Sequence, residues 1–140
     1  LRKLVWGFLL PSLLATAVYA DPISIVVSTD SKLTQITEDD VARLYLGRSS
    51  TINDIEVTPI DFKEDTPLAL EFHSKVLKKN PLQYQQYWAR LLFTGKAKPP
   101  VANMETPEAM VKFISTNKGT LGYTNQKTVP PEVKVILVIE

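Results

Sequence analysis

A chain of 140 residues is one domain by size, long enough to bury a core of its own and too short for two full lobes. It has no cysteine and a single histidine, His73, which excludes disulfide staples, a thiol nucleophile and cysteine- or histidine-rich metal sites. The net charge of +1 originates in the first 20 residues, where Arg2 and Lys3 lie; residues 21–140 hold 14 basic against 15 acidic side chains, so no nucleic-acid surface is expected.

Residues 1–20 read as a secretory signal: Arg2 and Lys3, an apolar stretch from Leu4 to Ala15, then Val18-Tyr19-Ala20 before Asp21. Gly7, Pro11, Ser12 and Thr16 interrupt a run already shorter than a bilayer span, which disfavours a membrane anchor. No cysteine follows for a lipid anchor. The expectation is cleavage near Ala20, a mature domain over residues 21–140, and a free protein in a periplasm-like space.

Residues 23–28 (Ile-Ser-Ile-Val-Val-Ser) have the composition of a buried strand. A helix then starts at Thr37, with Asp40 completing a capping box and Ile36 stapled against Val41; Val41, Leu44 and Tyr45 form its buried stripe and Gly47 ends it. Residues 56–62 predict a second strand, short or locally at an edge because Pro59 cannot donate to a ladder.

Three more helices begin with a capping residue followed by proline: Thr66-Pro67, Asn80-Pro81 and Thr106-Pro107. The first carries Leu68, Phe72 and Val76, the second Tyr84, Tyr87, Trp88, Leu91 and Leu92, the third Met110, Phe113 and Ile114; Gly95 and Asn117 stop the last two. Residues 119–124 and 133–139 close the chain as strands, the latter apolar on both parities and so expected to be covered on two faces. Strands alternating with helices give an α/β layer sandwich, with the first two strands joined by a right-handed helical crossover.

The order of these motifs carries a resemblance. Leu44-Tyr45-Leu46-Gly47, Val57-Thr58-Pro59-Ile60, the capped helix with Phe72, Tyr87-Trp88 with Phe93-Thr94-Gly95, and Gly119-Thr120-Leu121-Gly122-Tyr123 together resemble the substrate-binding proteins of phosphate ABC transporters. The likeness runs from about Ile23 to Ile139, and in size the chain is similar to the short, single-lobe proteins of phosphate-binding-like type. It implies a single three-layer αβα lobe like one domain of a type II periplasmic binding protein, with a non-enzymatic role.

In that family a loop of the type Arg-x-Asp-Gly-Ser-Gly-Thr holds phosphate at a helix N-terminus, where unpaired amides and the helix dipole favour an anion. Aligned through the cap, Thr66 stands for the serine, Glu64 for the aspartate, Asp65 for the first glycine and Phe62 for the arginine. Pro67 and Leu68 replace the glycine and threonine that follow, removing one amide donor and one hydroxyl, and Ala69 stands where short members carry a basic residue. The resemblance thus places an oxyanion site on Lys63, Glu64, Asp65 and Thr66. A helix terminus offers an anion about 0.3 to 2 kcal/mol, whereas millimolar affinity requires about 4 kcal/mol, and Asp61, Glu64 and Asp65 oppose it. The alternative is that Thr66 is simply an N-cap beside dipole-compensating acids.

Other constellations read as structural. The stripe Tyr84, Tyr87, Trp88 has core-facing spacing with Leu91 and Leu92. His73 and Ser74 are helix neighbours that cannot face each other, and His73 is expected to be a surface or partly buried helix residue. Asp61, Glu64 and Asp65 lack the regular ligand spacing of a calcium loop and read as a solvated turn. No nucleophile elbow, Walker loop or metalloprotease helix occurs. The resemblance therefore implies a lobe that needs no cofactor and binds phosphate or a related oxyanion for an ABC permease or membrane sensor. The alternative is a ligand-free module that docks a partner through the former inter-lobe face; the oligomeric state stays open.

Overall fold

The computed structural model describes residues 3–7, 11–12 and 21–140. The expected signal segment and its cleavage point near Ala20 lie largely outside the described residues; Leu4, Val5 and Trp6 are exposed and belong to no regular element. Among the described residues no helix is long and apolar enough to cross a membrane.

Strand β1 (Ile23–Ser28) leads to helix α1 (Glu38–Tyr45), whose start is the predicted reciprocal cap: Asp40 N–H donates to Thr37 Oγ1 at 3.1 Å and Thr37 N–H to Asp40 Oδ2 at 2.9 Å. Gly47, at φ +67°, ends the turn against the Trp88 ring and Ala97, where a Cβ would come within 2.9 Å of both. A hairpin absent from the sequence expectations follows: β2 (Thr51–Ile52) and β3 (Ile55–Glu56) join through Asn53-Asp54, both at positive φ as a tight primed turn requires. It takes Ile55 and Glu56, so the second main strand, β4 (Thr58–Phe62), is shorter than residues 56–62.

Helices α2 (Pro67–Lys75) and α3 (Pro81–Thr94) start at their prolines, and α3 ends on left-handed Gly95. Strand β5 (Val101–Met104), also unforeseen, precedes α4 (Pro107–Thr116), and β6 (Thr120–Thr124) and β7 (Val133–Ile139) finish the chain. The main sheet runs β5-β4-β6-β1-β7. Pro59 sits where β4 is paired with β6 alone, before its ladder with β5 begins at Ile60, which is the local edge its missing N–H demands.

Two expectations are corrected. Strands β1 and β4 are not neighbours joined by a parallel crossover: β6 lies between them, parallel to β4 and antiparallel to β1. Nor is β7 covered on two faces; it is an edge strand, buried at Val133 and Ile139 with Val135 and Val138 exposed.

The strand alternation at Gly122-Tyr123 shows the layers. Gly122 faces α4, where an added Cβ would lie 2.5 Å from Met110 Sδ, so only hydrogen lets that helix close on the sheet. Tyr123 faces the other side, stacked on Phe72 of α2 at 3.9 Å and edge-on to Tyr45 of α1 at 6.0 Å and Phe62 at 5.1 Å. Helices thus cover both faces of one mixed sheet, the three-layer αβα arrangement expected from the sequence.

Candidate functional site at the amino end of α2

Strands β4, β5 and β6 are mutually parallel, so their carboxyl ends share one edge of the sheet, and the turn into α2 and the start of α4 gather there. Open α/β sheets place ligands at such an edge. Thr106 N-caps α4 through Ala109 N–H at 3.1 Å, and Glu108 occupies its first turn, leaving that terminus closed to an anion. The α2 terminus differs. Thr66 makes no side-chain capping bond, and the first turn holds no acid.

The turn from β4 to α2 is built by two backbone bonds, Lys63 N–H to Met104 O and Thr66 N–H to Lys63 O, each 3.0 Å. The helical ladder begins only with Leu70 N–H donating to Thr66 O, and Pro67 has no N–H. Amides of Glu64, Asp65, Leu68 and Ala69 donate to no protein acceptor among the described residues. Ala69 is fully buried, so the donor set open at this end is the half-buried Thr66 hydroxyl with the amides of Glu64, Asp65 and Leu68.

Charges in the turn are mixed. Lys63 Nζ is ion-paired with Glu105, both exposed, and that lysine holds the Glu105 carboxyl below its usual range through a hydrogen bond and its charge. Glu64 and Asp65 are exposed. Of the four residues named from the sequence, all meet at this turn, but Lys63 and the Thr66 amide already have partners. Phe62, aligned with the family arginine, is fully buried against Tyr123 and cannot reach a ligand at the surface.

Asp61 departs most from expectation. Rather than joining Glu64 and Asp65 in a solvated acid group, it is 1% exposed and turned inward. Its Oδ1 accepts from Phe62 N–H at 2.8 Å and from the Tyr123 hydroxyl, and its Oδ2 from His73 Nε2 at 2.7 Å. His73, expected at the surface or partly buried, is 4% exposed and lies flat on Tyr84 at 4.0 Å. Burial and then the nearby Asp61 charge push the Tyr123 and Tyr84 phenols above the ordinary range. The network ties β4, β6 and α2 together. With its donors and acceptors paired to one another inside the core, it acts as a structural clamp. Sequence gave one usable sign of it, an acid between Ile60 and Phe62 in a strand that helices cover.

Beside this clamp lie two cavities, one of about 280 Å³ between α2 and α3 and one of about 320 Å³ between α3 and the β4–β5 side of the sheet, both touched by Glu64, His73 and Tyr84. Trp88 and Tyr84 are buried as the core reading required, whereas Leu92 of the same stripe is exposed.

No family model matches the sequence, and no curated protein does. Solved structures do match. An ABC-type phosphate transport receptor from Vibrio cholerae is similar over 83% of this chain and 46% of its own, with a TM-score of 0.64 and 17% identity. A Clostridium perfringens structure with bound phosphate, assigned as a phosphate ABC transporter substrate-binding protein, matches 83% of this chain and 44% of its own (TM-score 0.64, 12% identity). PstS from Borrelia burgdorferi matches 74% and 40% (TM-score 0.56, 14% identity). The chain thus has the fold of one lobe of phosphate-binding proteins and spans less than half the length of each.

Proposed function

We propose that this chain is a non-enzymatic solute-binding lobe of the periplasm that holds an oxyanion, phosphate foremost, at the amino end of α2 and presents it to an ABC permease or membrane sensor. The observation that carries the reading is the uncapped Thr66. A Thr, Asn or Ser at an N-cap ordinarily spends its oxygen on a backbone amide, and the other three caps of this lobe do so. At α2 the hydroxyl and the amides of Glu64, Asp65 and Leu68 are left to an acceptor from solution, while the Ala69 amide is sealed from solvent. Such a site is weak. Glu64 and Asp65 repel an anion, and the lone nearby cation, Lys63, must leave Glu105 to contribute.

Thermal melting with phosphate and sulfate up to tens of millimolar tests this. At a hundred times the dissociation constant the ligand stabilises the fold by about 2.7 kcal/mol. Thr66→Val lowers the affinity, and Thr124→Val does not. Melts that stay level against chloride of matched ionic strength overturn the reading.

A second reading is favoured by buried Phe62 and by Pro67, which remove an arginine and an amide from the cradle. In it the same face docks a partner protein without ligand. Because Glu64 and Asp65 crowd that face, two copies repel each other there, so a more basic partner fits better than a homodimer. Sedimentation with and without phosphate, repeated for Glu64→Lys, separates the cases: a dimer indifferent to both places the interface elsewhere.

A further inference from the structure

At the opposite end of β4 from the α2 turn, the α1–β2 connection and the chain entering β5 enclose a groove of about 590 Å³. Its rim carries Arg48, Lys96 and Lys98, its floor includes Leu44, Val57 and Pro100, and no carboxylate lines it. All three cations are exposed, and none is in an ion pair among the described residues. This positive concentration stands against residues 21–140 that are net negative, so it is a local feature of the surface and not a by-product of composition.

We propose that this groove docks an acidic, partly apolar extended segment of a partner protein. Two properties select that occupant. A small oxyanion would use the rim and leave the apolar floor without a partner. A lipid bilayer is broad and flat and cannot enter a concave site between two loops. A peptide strand with carboxylates alternating with aliphatic side chains satisfies both, its acids on Arg48, Lys96 and Lys98 and its apolar groups on the floor. The site is independent of the oxyanion reading, because it lies at the other edge of the sheet and shares no residue with the α2 turn.

Trp88 reports on it. Gly47, a residue of the groove lining, lies against the indole and beside Ala97, another lining residue, and the exposed Trp6 is silenced by Trp6→Phe. The probe is a synthetic peptide of about ten residues alternating glutamate with leucine and serine, titrated against the Trp6→Phe protein at low ionic strength. The expected result is a saturable change in Trp88 emission that weakens steeply with salt. A peptide with glutamine in place of glutamate should bind at least about tenfold more weakly. Lys96→Glu with Lys98→Glu should weaken binding by about thirtyfold or more while the melting temperature is retained. Should that pair fail to fold, Lys96→Gln with Lys98→Gln serves, with a loss of about tenfold expected. The proposal is overturned if the acidic peptide gives no saturable change, or if the glutamine peptide or the charge variants bind as well. It is also overturned if pyrophosphate or anionic vesicles of phosphatidylglycerol produce the same change at lower concentration, since the groove would then be an anion or membrane site.

Discussion

Helix starts in this lobe come in two kinds. Those of α1 and α3 are sealed by reciprocal capping boxes, Thr37 with Asp40 and Asn80 with Gln83, and α4 by Thr106. That of α2 has the same sequence signature, Thr66-Pro67, and no seal. The same dipeptide at positions 66 and 106 thus gives two different chemical surfaces. Both residues are extended, but Thr106 brings its oxygen to Ala109 N–H, whereas Thr66, its N–H tied back to Lys63 O in the preceding turn, makes no side-chain bond to an amide. A cap motif in a sequence marks where a helix begins; whether its donors are spent depends on how the preceding turn is drawn into the sheet.

The comparison rests on a rigid clamp, and breaking the clamp has the largest expected effect. Asp61→Ala strips the acceptor from Tyr123 and His73 inside the core and should cost about 3 to 5 kcal/mol in denaturant unfolding. Trp88→Ala should cost a similar 3 to 5 kcal/mol by cavity formation without selectively removing ligand affinity. On the other face, Gly122→Ala forces a methyl into Met110 and Ile114 and should cost about 1 to 3 kcal/mol.

Caps sharpen the contrast directly. Thr37→Ala, Asn80→Ala and Thr106→Ala should each lower stability by about 1 kcal/mol, while Thr66→Ala, which breaks no capping bond, should change it by only a few tenths. An equal loss at Thr66 would show that its hydroxyl is spent on the fold.

The pH dependence has two limbs. Tyr45, Tyr84 and Tyr123 have folded-state pKa values raised above the unfolded phenol value, first by burial and then by the Asp61 charge. Their contribution is complete below about pH 10 and is lost as pH rises through the raised values. Ultraviolet titration should therefore find these phenols protonated until the fold opens. At the acid end, the Thr37 amide holds the Asp40 carboxyl below its usual range. That contribution is present above about pH 4 and is lost as pH falls through the depressed value, so Asp40→Asn should flatten the acid limb slightly, by well under about 1 kcal/mol given its solvent screening.

Much of the fold was legible because the punctuation is strong. Cap-plus-proline pairs fix three helix starts, Thr37 fixes a fourth, and the β-branched runs give β1 and β7 their observed bounds. Strand β5 was not legible: Val-Ala-Asn-Met has neither alternation nor an apolar run, and only Met104 is buried. Sheet order was not legible either, because the antiparallel placement of β1 depends on pairings with β6 and β7 about a hundred residues away. At the candidate site the sequence located the turn but not the fate of each group. Asp61 and Glu64 are three positions apart, yet one is sealed in the core by a tyrosine and the only histidine while the other faces solvent.

The most direct measurement is a titration of the isotopically labelled protein with phosphate, followed by amide resonances at constant ionic strength. The α2 terminus should respond alone: Glu64, Asp65, Thr66 and Leu68 shift together along one saturating curve, while the capped amides of Asp40, Gln83 and Ala109 stay in place. No shift at the four, or equal shifts at the capped termini, would contradict the account.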